Sequence, residues 1–291
     1  MKKYKICKIL LVILAFFLCV AFYELIGICI AYKKQPEVSN TTKKETKNGS
    51  WNECSENTER AVIIEKNPEA LLQRVRLIKN AKKEIILSTF AFQSDESGKL
   101  ILGALHDAAD RGVHIRLLVD GMESWIDMEG NPYFYGLSSH ENVEIKLYNK
   151  ANPLKPWKMM GRMHDKYLIA DGKRYILGGR NTYNYFLGDF PGHKNYDRDV
   201  LVVCDEPEKE NSVNQLLEYF ETIWEQEDSG YFHDNKKLAN RKSVKNAVLE
   251  LQNGYQKYFE ENKERICDTD YTDETFETEK IALVSNPIHT G

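Results

Sequence analysis

The sequence predicts an α/β fold in which a mixed, mostly parallel sheet is flanked by helices and preceded by an N-terminal transmembrane helix. Two observations carry this prediction. An apolar run covers residues 9–32, and short segments rich in Val, Ile and Leu then alternate with amphipathic segments between residues 61 and 120. Such alternation is typical of βαβ units, whose strands are parallel. With 42% hydrophobic and 29% charged residues, the bulk of the chain has an ordinary globular composition.

The apolar run is long enough to cross a membrane. It has 24 residues and a single charge, Glu24. At about 1.5 Å per residue a helix of this length reaches roughly 36 Å, against a hydrocarbon core of about 30 Å. We interpret it as an uncleaved anchor, because the only small-x-small cleavage site, at residues 29–31, is a poor one. A cleaved signal peptide is the alternative. The short basic leader favours a globular part outside the cytoplasm.

Four regions follow from the composition. The predicted boundaries are a membrane anchor at 1–34, a flexible polar linker at 35–57, a globular domain at 58–277, and the start of a second, truncated repeat at 278–291. The repeat is inferred because residues 278–287 resemble residues 58–68 with one residue skipped. Both segments predict a strand followed by Asn-Pro at the start of a helix.

The elements of the domain are predicted in chain order. A helix begins at Asn67-Pro68-Glu69, since a capping residue, a proline and an acid typically open the first turn. A second helix at 100–111 ends at Gly112. Two further helices are predicted at 212–225 and 237–264. The predicted strands are 61–65, 84–92, 113–120, 143–148, 163–170, 174–177 and 199–204.

Charge and cysteine content narrow the function. The net charge of −4 argues against nucleic-acid binding over the whole surface. Residues 150–200, however, hold ten Lys or Arg and five Asp, a local excess that suits an anionic substrate. None of the six cysteines has CxxC spacing, so we expect no zinc site, and no metal-spaced cluster indicates another metal or cofactor.

One group of residues inside the basic region carries chemistry. His164 and Lys166 are two apart on a predicted strand, so period-two alternation places both on one face. Asp171 with the following glycine predicts a hairpin, and the next strand returns to Gly179 and Asn181. A nucleophilic imidazole, a cation and an amide donor would then converge. This set suits attack on a phosphodiester.

The pattern His-x-Lys-x4-Asp-x6-Gly-Gly-x-Asn at residues 164–181 resembles the signature of the phospholipase D superfamily. The resemblance covers residues 58–204. It implies that His164 forms a phosphohistidine or protonates the leaving group, and that Lys166, Asn181 and Gly179 bind the phosphate. Asp171 belongs to the same catalytic motif, with a structural role favoured over proton transfer. The family reaction uses no metal.

The resemblance also implies an acid that orients the catalytic histidine through its other ring nitrogen. The segment at 196–200 is similar to the family's acidic segment after the motif. Asp199 is the first choice for this role, and Asp197 is the alternate.

The family's active site needs two such motifs, and this chain has one. Three interpretations of the chain stay open. It is the first half of a longer enzyme, a homodimer that completes the site with a second copy, or an inactive half that acts as an interaction protein.

The substrate indicated is a phospholipid. The anchor holds the domain near a bilayer, and Trp157 lies among lysines just before the motif, a mixture that suits an anionic lipid interface. The predicted activity is a metal-independent phosphodiesterase or phosphatidyltransferase, with the membrane and phospholipid as partners. An endonuclease of the same superfamily is the alternative, since Tyr183, Tyr185 and Tyr196 leave stacking on nucleic acid open.

Overall fold

The computed structural model describes residues 2–33, 40, 43–44, 59–158, 161–204, 211–233, 236–279 and 281–285. Helix α1, Lys2–Lys33, is the long apolar helix expected from the sequence. Its span Tyr4–Lys33 contains an 18-residue window with a mean hydropathy of 2.8 and no buried residue, which is compatible with an anchor or with a signal sequence. The predicted linker at 35–57 lies outside the described residues, apart from 40, 43 and 44.

The remaining elements form one α/β domain. The strands are β1 Glu59–Ile64, β2 Glu84–Thr89, β3 His114–Asp120, β4 Val143–Tyr148, β5 Lys166–Ala170, β6 Arg174–Gly178, β7 Asp199–Cys204, β8 Ser229–Tyr231 and β9 Phe276–Thr278. The helices are α2 Asn67–Asn80, α3 Glu96–Asp110, α4 Gly121–Asp127, α5 Pro132–Ser138, α6 Ser212–Trp224, α7 Lys236–Ala239, α8 Lys242–Glu261 and α9 Lys263–Cys267.

The described strands form a mixed sheet in the order β8-β4-β3-β2-β5-β6-β7-β1-β9. The α/β class and the flanking helices are confirmed, but the expectation of a mostly parallel sheet is wrong. Only β2–β3 and β3–β4 pair in parallel. The other six pairings are antiparallel.

The connections explain this difference. Parallel neighbours need a crossover of about a dozen residues or more, and only β2–β3 and β3–β4 combine adjacency with such helical crossovers. Strands β1 and β2 run in the same direction, as their connecting helix α2 requires. They are not neighbours, however, because β5, β6 and β7 lie between them. Strands β5 and β6 form a hairpin and β7 pairs with β6. The pairings β2–β5, β5–β6 and β6–β7 are therefore all antiparallel.

The sheet is buried on both faces. On one face, Leu77, Leu105 and Leu251 from α2, α3 and α8 pack into a large core with inward residues of the strands. On the other face, Leu216 and Phe220 of α6 cover a smaller core. This second core matters for function because α6 lies beside the residues that precede β5.

Two short helices were missed by sequence reasoning. Helix α4 is capped by Asp120, whose carboxylate accepts from the amides of Met122 and Glu123. Helix α5 is capped by Asn131 and has Pro132 in its first turn, a recognisable start signal in a segment that was left unassigned. Strand β5 begins at Lys166, three residues later than expected, so His164 precedes the strand.

The segment after β9 bears on the predicted second repeat. Strand β9 pairs with β1, from Glu59 opposite Thr278 to Ala61 opposite Phe276. Residues 281–285 have no assigned strand, and residues 286–291 lie outside the described part of the chain. The repeat therefore stays a prediction.

Candidate functional site

The site lies at one edge of the sheet, where two pairs of strands end together. Lys166, the first residue of β5, is opposite Thr89, the last residue of β2. Gly178, the last residue of β6, is opposite Asp199, the first residue of β7. The antiparallel pairing therefore brings the start and the end of the motif to the same edge, although they are far apart along the chain.

His164 and Lys166 lie on the same side of their segment, as alternation predicted. The imidazole packs edge-on against the Phe90 ring at 4.7 Å between centroids, and the Lys166 ammonium lies 5.2 Å from the centre of the same ring. Asp165, between them, points the other way and accepts a hydrogen bond of 2.9 Å from the Tyr219 hydroxyl. Phe90 thus serves as a common platform for the two basic side chains.

Lys166 is buried and hydrogen-bonded to the backbone. Its side chain is 6% exposed, and its ammonium donates to the His164 carbonyl oxygen at 2.7 Å. Burial lowers the pKa of Lys166 to about 8, while Asp165 and Asp197 oppose the shift. A lysine that is close to losing its proton is a group tuned for a site rather than a solvated surface cation.

His164 is exposed enough to meet a substrate. Partial burial of its ring, followed by the charge of Lys166, lowers the pKa of His164, and Asp165 and Asp120 oppose this. The imidazole is therefore mostly neutral at pH 7. A neutral ring has a nitrogen lone pair available for attack on phosphorus.

These two pKa shifts give a prediction for the pH profile. If the protonated Lys166 binds the phosphate, kcat/KM falls by up to about tenfold per pH unit above about 8, because the free enzyme loses this cation. On the acid side, kcat/KM falls as the pH drops below the lowered pKa of His164, because the imidazole ring becomes protonated. In Lys166→Arg the alkaline decline is expected to disappear, since a guanidinium stays charged. An unchanged alkaline decline in that variant would assign it to another group.

Asn181 lies at the same edge but makes a different contact. It is 7% exposed, and its side-chain oxygen accepts from the Ala91 amide at 3.3 Å. Ala91 directly follows Phe90, so the carboxamide is anchored beside the ring that His164 and Lys166 contact. Asn181 does not line the cleft described below.

Asp171 lies at the other end of β5. The five residues of the strand separate it from His164 by more than about 15 Å. Its carboxylate accepts from the backbone amides of Lys82, Lys83 and Glu84 at 2.7–3.1 Å. It also adopts a positive φ of 54° in the β5–β6 hairpin. This geometry favours the structural alternative, in which Asp171 fastens the hairpin to the start of β2.

Replacing Asp171 by alanine is expected to lower the free energy of unfolding by about 1–3 kcal/mol, because three amides lose their acceptor. Urea unfolding of the full chain in detergent measures this loss. The kcat of the molecules that remain folded should stay near the wild-type value. A large loss of kcat at unchanged stability would restore a catalytic role. Asp171→Asn, which keeps one acceptor oxygen, is the milder control.

Asp199, the first choice for the acid that orients the histidine, is engaged elsewhere. Its carboxylate is 2% exposed and lies 2.9 Å from the Arg74 guanidinium and 3.3 Å from that of Arg180. Arg180 also donates to the carbonyl oxygens of Ile64 and Glu65. Asp199 is therefore the centre of a buried ion-pair network, and its role in orienting the histidine stays a prediction.

Asp197, the alternate, is closer to the reactive groups. It is exposed, and its charge raises the pKa of Lys166. A β-carbon at Gly179 would lie 2.0 Å from the Asp197 carboxylate, so the glycine lets this acid approach the motif. Gly178 has the same relation to Asp199, at 2.1 Å. The Gly-Gly pair therefore makes room for two carboxylates, a constraint that spacing alone did not reveal.

Other residues of the site were missed from the sequence. Arg162 forms ion pairs with Asp120 at 2.7 Å and Glu123 at 3.0 Å, and its guanidinium lies 5.0 Å from the centre of the Phe90 ring. Asp120, 1% exposed, also accepts from the Met163 amide at 3.1 Å and so holds the segment before His164. Its position at the carboxyl end of a parallel strand was the available signal.

A cleft of about 510 Å³ opens beside these groups. His164, Asp165 and Lys166 lie on its wall together with Arg162. Much of the remaining lining is apolar or aromatic, formed by Tyr148, Tyr167, Leu177, Leu216, Tyr219, Ile223, Leu283 and Val284. The cleft therefore joins a polar, basic end to an apolar wall contributed by α6 and the segment after β9. In the described parts of the chain, no group of three or more His, Cys, Asp or Glu has the geometry to hold a metal ion.

A neutral imidazole, a buried ammonium and an anchored carboxamide lie at one edge of the α/β sheet, a combination that suits a protein that acts on phosphodiesters. Comparison with known proteins specifies the family. The family described as "Cardiolipin synthase, PLD-like domain" matches residues 74–224, more than half of the chain. The chain belongs to the phospholipase D superfamily and carries a phosphodiesterase domain related to cardiolipin synthases.

Individual relatives agree with this assignment. An uncharacterized protein of Helicobacter pylori strain J99 is 30% identical over 212 residues, 68% of this chain and 39% of that protein. Cardiolipin synthase C of Escherichia coli K12 is 29% identical over 171 residues, 54% of this chain and 34% of that enzyme. The phosphatidylserine synthase structure from Haemophilus influenzae Rd KW20 shares the fold, with a TM-score of 0.50 and 18% identity over 76% of this chain and 48% of its own. The alignments thus span less than half of these relatives.

Proposed function

We propose that this domain is a metal-independent phosphatidyltransferase or phospholipase that works through a phosphohistidine at His164. The observation that carries the proposal is the shared position of His164 and Lys166 on the wall of a cleft that continues into an apolar surface. A phosphate diester with a long apolar substituent matches both parts.

The chemistry follows from the groups present. A His164 ring nitrogen attacks phosphorus, the bond from phosphorus to the leaving alcohol oxygen breaks, and a general acid protonates that oxygen. Lys166 stabilises the charge on the non-bridging oxygens. We propose that Asn181, anchored beside Phe90 outside the cleft lining, donates from its amide once the phosphate is bound. An incoming hydroxyl group then attacks phosphorus, gives its proton to the same acid-base group and breaks the P–N bond. Water as acceptor gives hydrolysis, and a lipid hydroxyl gives transfer.

The general acid has to come from outside this motif. The other six histidines of the chain are not followed two residues later by lysine, so the sequence holds one such motif. We propose that a second half completes the site, supplied either by further sequence after the repeat start at 278–291 or by a second copy of the chain across a two-fold axis.

Several observations favour phospholipid over nucleic acid. The apolar cleft wall of Leu177, Leu216 and Ile223 suits an acyl chain or glycerol backbone better than a nucleotide. The apolar helix α1 would hold the domain at a bilayer as an uncleaved anchor, with the domain proposed on the outer side. The curated relatives named as cardiolipin synthases act, by name, in phospholipid synthesis. Tyr196, 84% exposed, keeps an endonuclease as the specific alternative.

The test compares both substrates under one condition. The full chain is reconstituted in phosphatidylglycerol vesicles with a metal chelator, and released glycerol and new cardiolipin are measured; labelled DNA is offered in a parallel reaction. We expect turnover of the lipid only. Cleavage of DNA without lipid turnover would select the endonuclease. No turnover of either, with no phosphohistidine at His164, would show that this chain alone is inactive, either as an interaction protein or because the second half lies on further sequence.

A further inference from the structure

The connection between β4 and β5 presents apolar side chains to solvent close to the site. Leu154 is 77% exposed and Trp157 45% exposed. The turn that carries them is held by hydrogen bonds, because the Leu154 amide donates to the Asn152 side chain at 3.0 Å and the Lys155 amide to the Asn152 carbonyl at 2.9 Å. We call Leu154, Pro156 and Trp157 the loop tip. An ordered turn that exposes two large apolar side chains indicates a surface made for a partner.

The loop tip touches the apolar helix. The Tyr23 hydroxyl of α1 donates to the Leu154 carbonyl oxygen at 2.7 Å. Gly27 of α1 lies so close to Pro156 that a β-carbon there would be 2.4 Å from the proline ring. These contacts bury Pro156 and place the loop tip beside the C-terminal part of α1.

The contact between α1 and the loop tip indicates how deep the loop tip lies in the membrane. Gly27 precedes Lys33, the last residue of α1, by six residues, or about 9 Å of helix. If Lys33 lies at the lipid headgroups, the contact of Pro156 with Gly27 lies about 9 Å below them, within the 5–10 Å at which interfacial apolar groups insert. The contact of Leu154 with Tyr23 lies deeper, at about 15 Å of helix from Lys33. Tryptophan is enriched at this level of a membrane, and the exposed Lys155 can extend its ammonium to the headgroups.

We propose that the loop tip inserts into the headgroup–acyl boundary of the membrane that holds α1. This inference rests on the anchor proposed above but not on the substrate. The same connection continues into Gly161, Arg162 and His164, which line the cleft. Insertion would therefore place the cleft mouth at the bilayer surface, where a lipid phosphate can reach His164 without leaving the membrane plane.

The test measures the surroundings of Trp157. The full chain, with its other tryptophans replaced by phenylalanine, is reconstituted in vesicles whose lipids are brominated near the carbonyl end of the acyl chains. We expect roughly a twofold loss of Trp157 emission at that depth, with little quenching by aqueous iodide. A matched variant keeps only Trp224, which is 7% exposed in the α6 core, and should be quenched by neither reagent.

The opposing outcomes are separable. Quenching of Trp157 by iodide alone would overturn insertion and leave the loop tip in water. Protection from both reagents would also overturn it and indicate a protein cover, such as a second copy. Release of the full chain from vesicles by alkaline carbonate would overturn the anchor and insertion together. None of these readouts depends on catalytic turnover, so failure of the proposed reaction would be recognised separately.

Discussion

His164→Ala is expected to lower kcat toward phospholipid by roughly 10⁴-fold or more and to abolish the labelled phosphoenzyme. Loss of the nucleophile removes the covalent route, and a factor of 10⁴ corresponds to about 5.5 kcal/mol of transition-state stabilisation. The exposed ring makes few contacts besides Phe90, so the free energy of unfolding should change little. The measurements are turnover in vesicles and acid-labile label on the protein.

His114→Ala is the matched control. His114 is paired with Glu144 at the first residue of β3, the opposite edge of the sheet from the site, and should leave kcat unchanged. If His164→Ala retained its phosphoenzyme, the nucleophile would lie elsewhere.

The His164→Ala variant also tests whether a second copy of the chain completes the active site. In a homodimer that needs both histidines, a ninefold excess of His164→Ala chains leaves about one wild-type chain in ten with a wild-type partner, so activity per wild-type chain falls about tenfold. If the second motif follows on the same polypeptide, or if each chain works alone, mixing has no effect.

The second large effect concerns stability. Asp199→Ala is expected to lower the free energy of unfolding by about 3–5 kcal/mol, because the guanidinium groups of Arg74 and Arg180 stay buried without their shared carboxylate. Urea unfolding of the full chain in detergent measures the change. A loss of this size is a substantial part of the 5–15 kcal/mol that stabilises a typical domain.

Asp197→Ala should behave in the opposite way. The side chain is exposed, so the free energy of unfolding should change by less than about 0.5 kcal/mol. The alkaline decline of kcat/KM, however, should move to lower pH, because the charge beside Lys166 is lost and the pKa of that lysine falls further. If Asp199→Ala were stable but inactive while Asp197→Ala stayed active, the result would support Asp199 as the acid that orients the histidine.

Much of the fold follows from local sequence. Strands β4 and β7 begin and end where their apolar segments predicted, and α2 begins at the expected Asn67. Strand pairing could not be predicted from local sequence. The segments that form β5, β6 and β7 were predicted as strands, but their position between β1 and β2 was not. Periodicity reports which face of a strand is buried, whereas the choice of neighbour depends on contacts between residues far apart in the chain.

The site divides in the same way. Spacing alone determined that His164 and Lys166 share a face and that a hairpin returns the chain toward Asn181, because alternation and turn geometry are properties of adjacent residues. Only the tertiary structure decided that Asp199 is neutralised by two buried arginines while Asp197 lies beside Lys166, and that Asp171 fastens the far end of β5. The role of a carboxylate depends on the charges and donors around it, and these come from α2, from the start of β2 and the residues before it, and from the segment after β6, through long-range packing that no local pattern encodes.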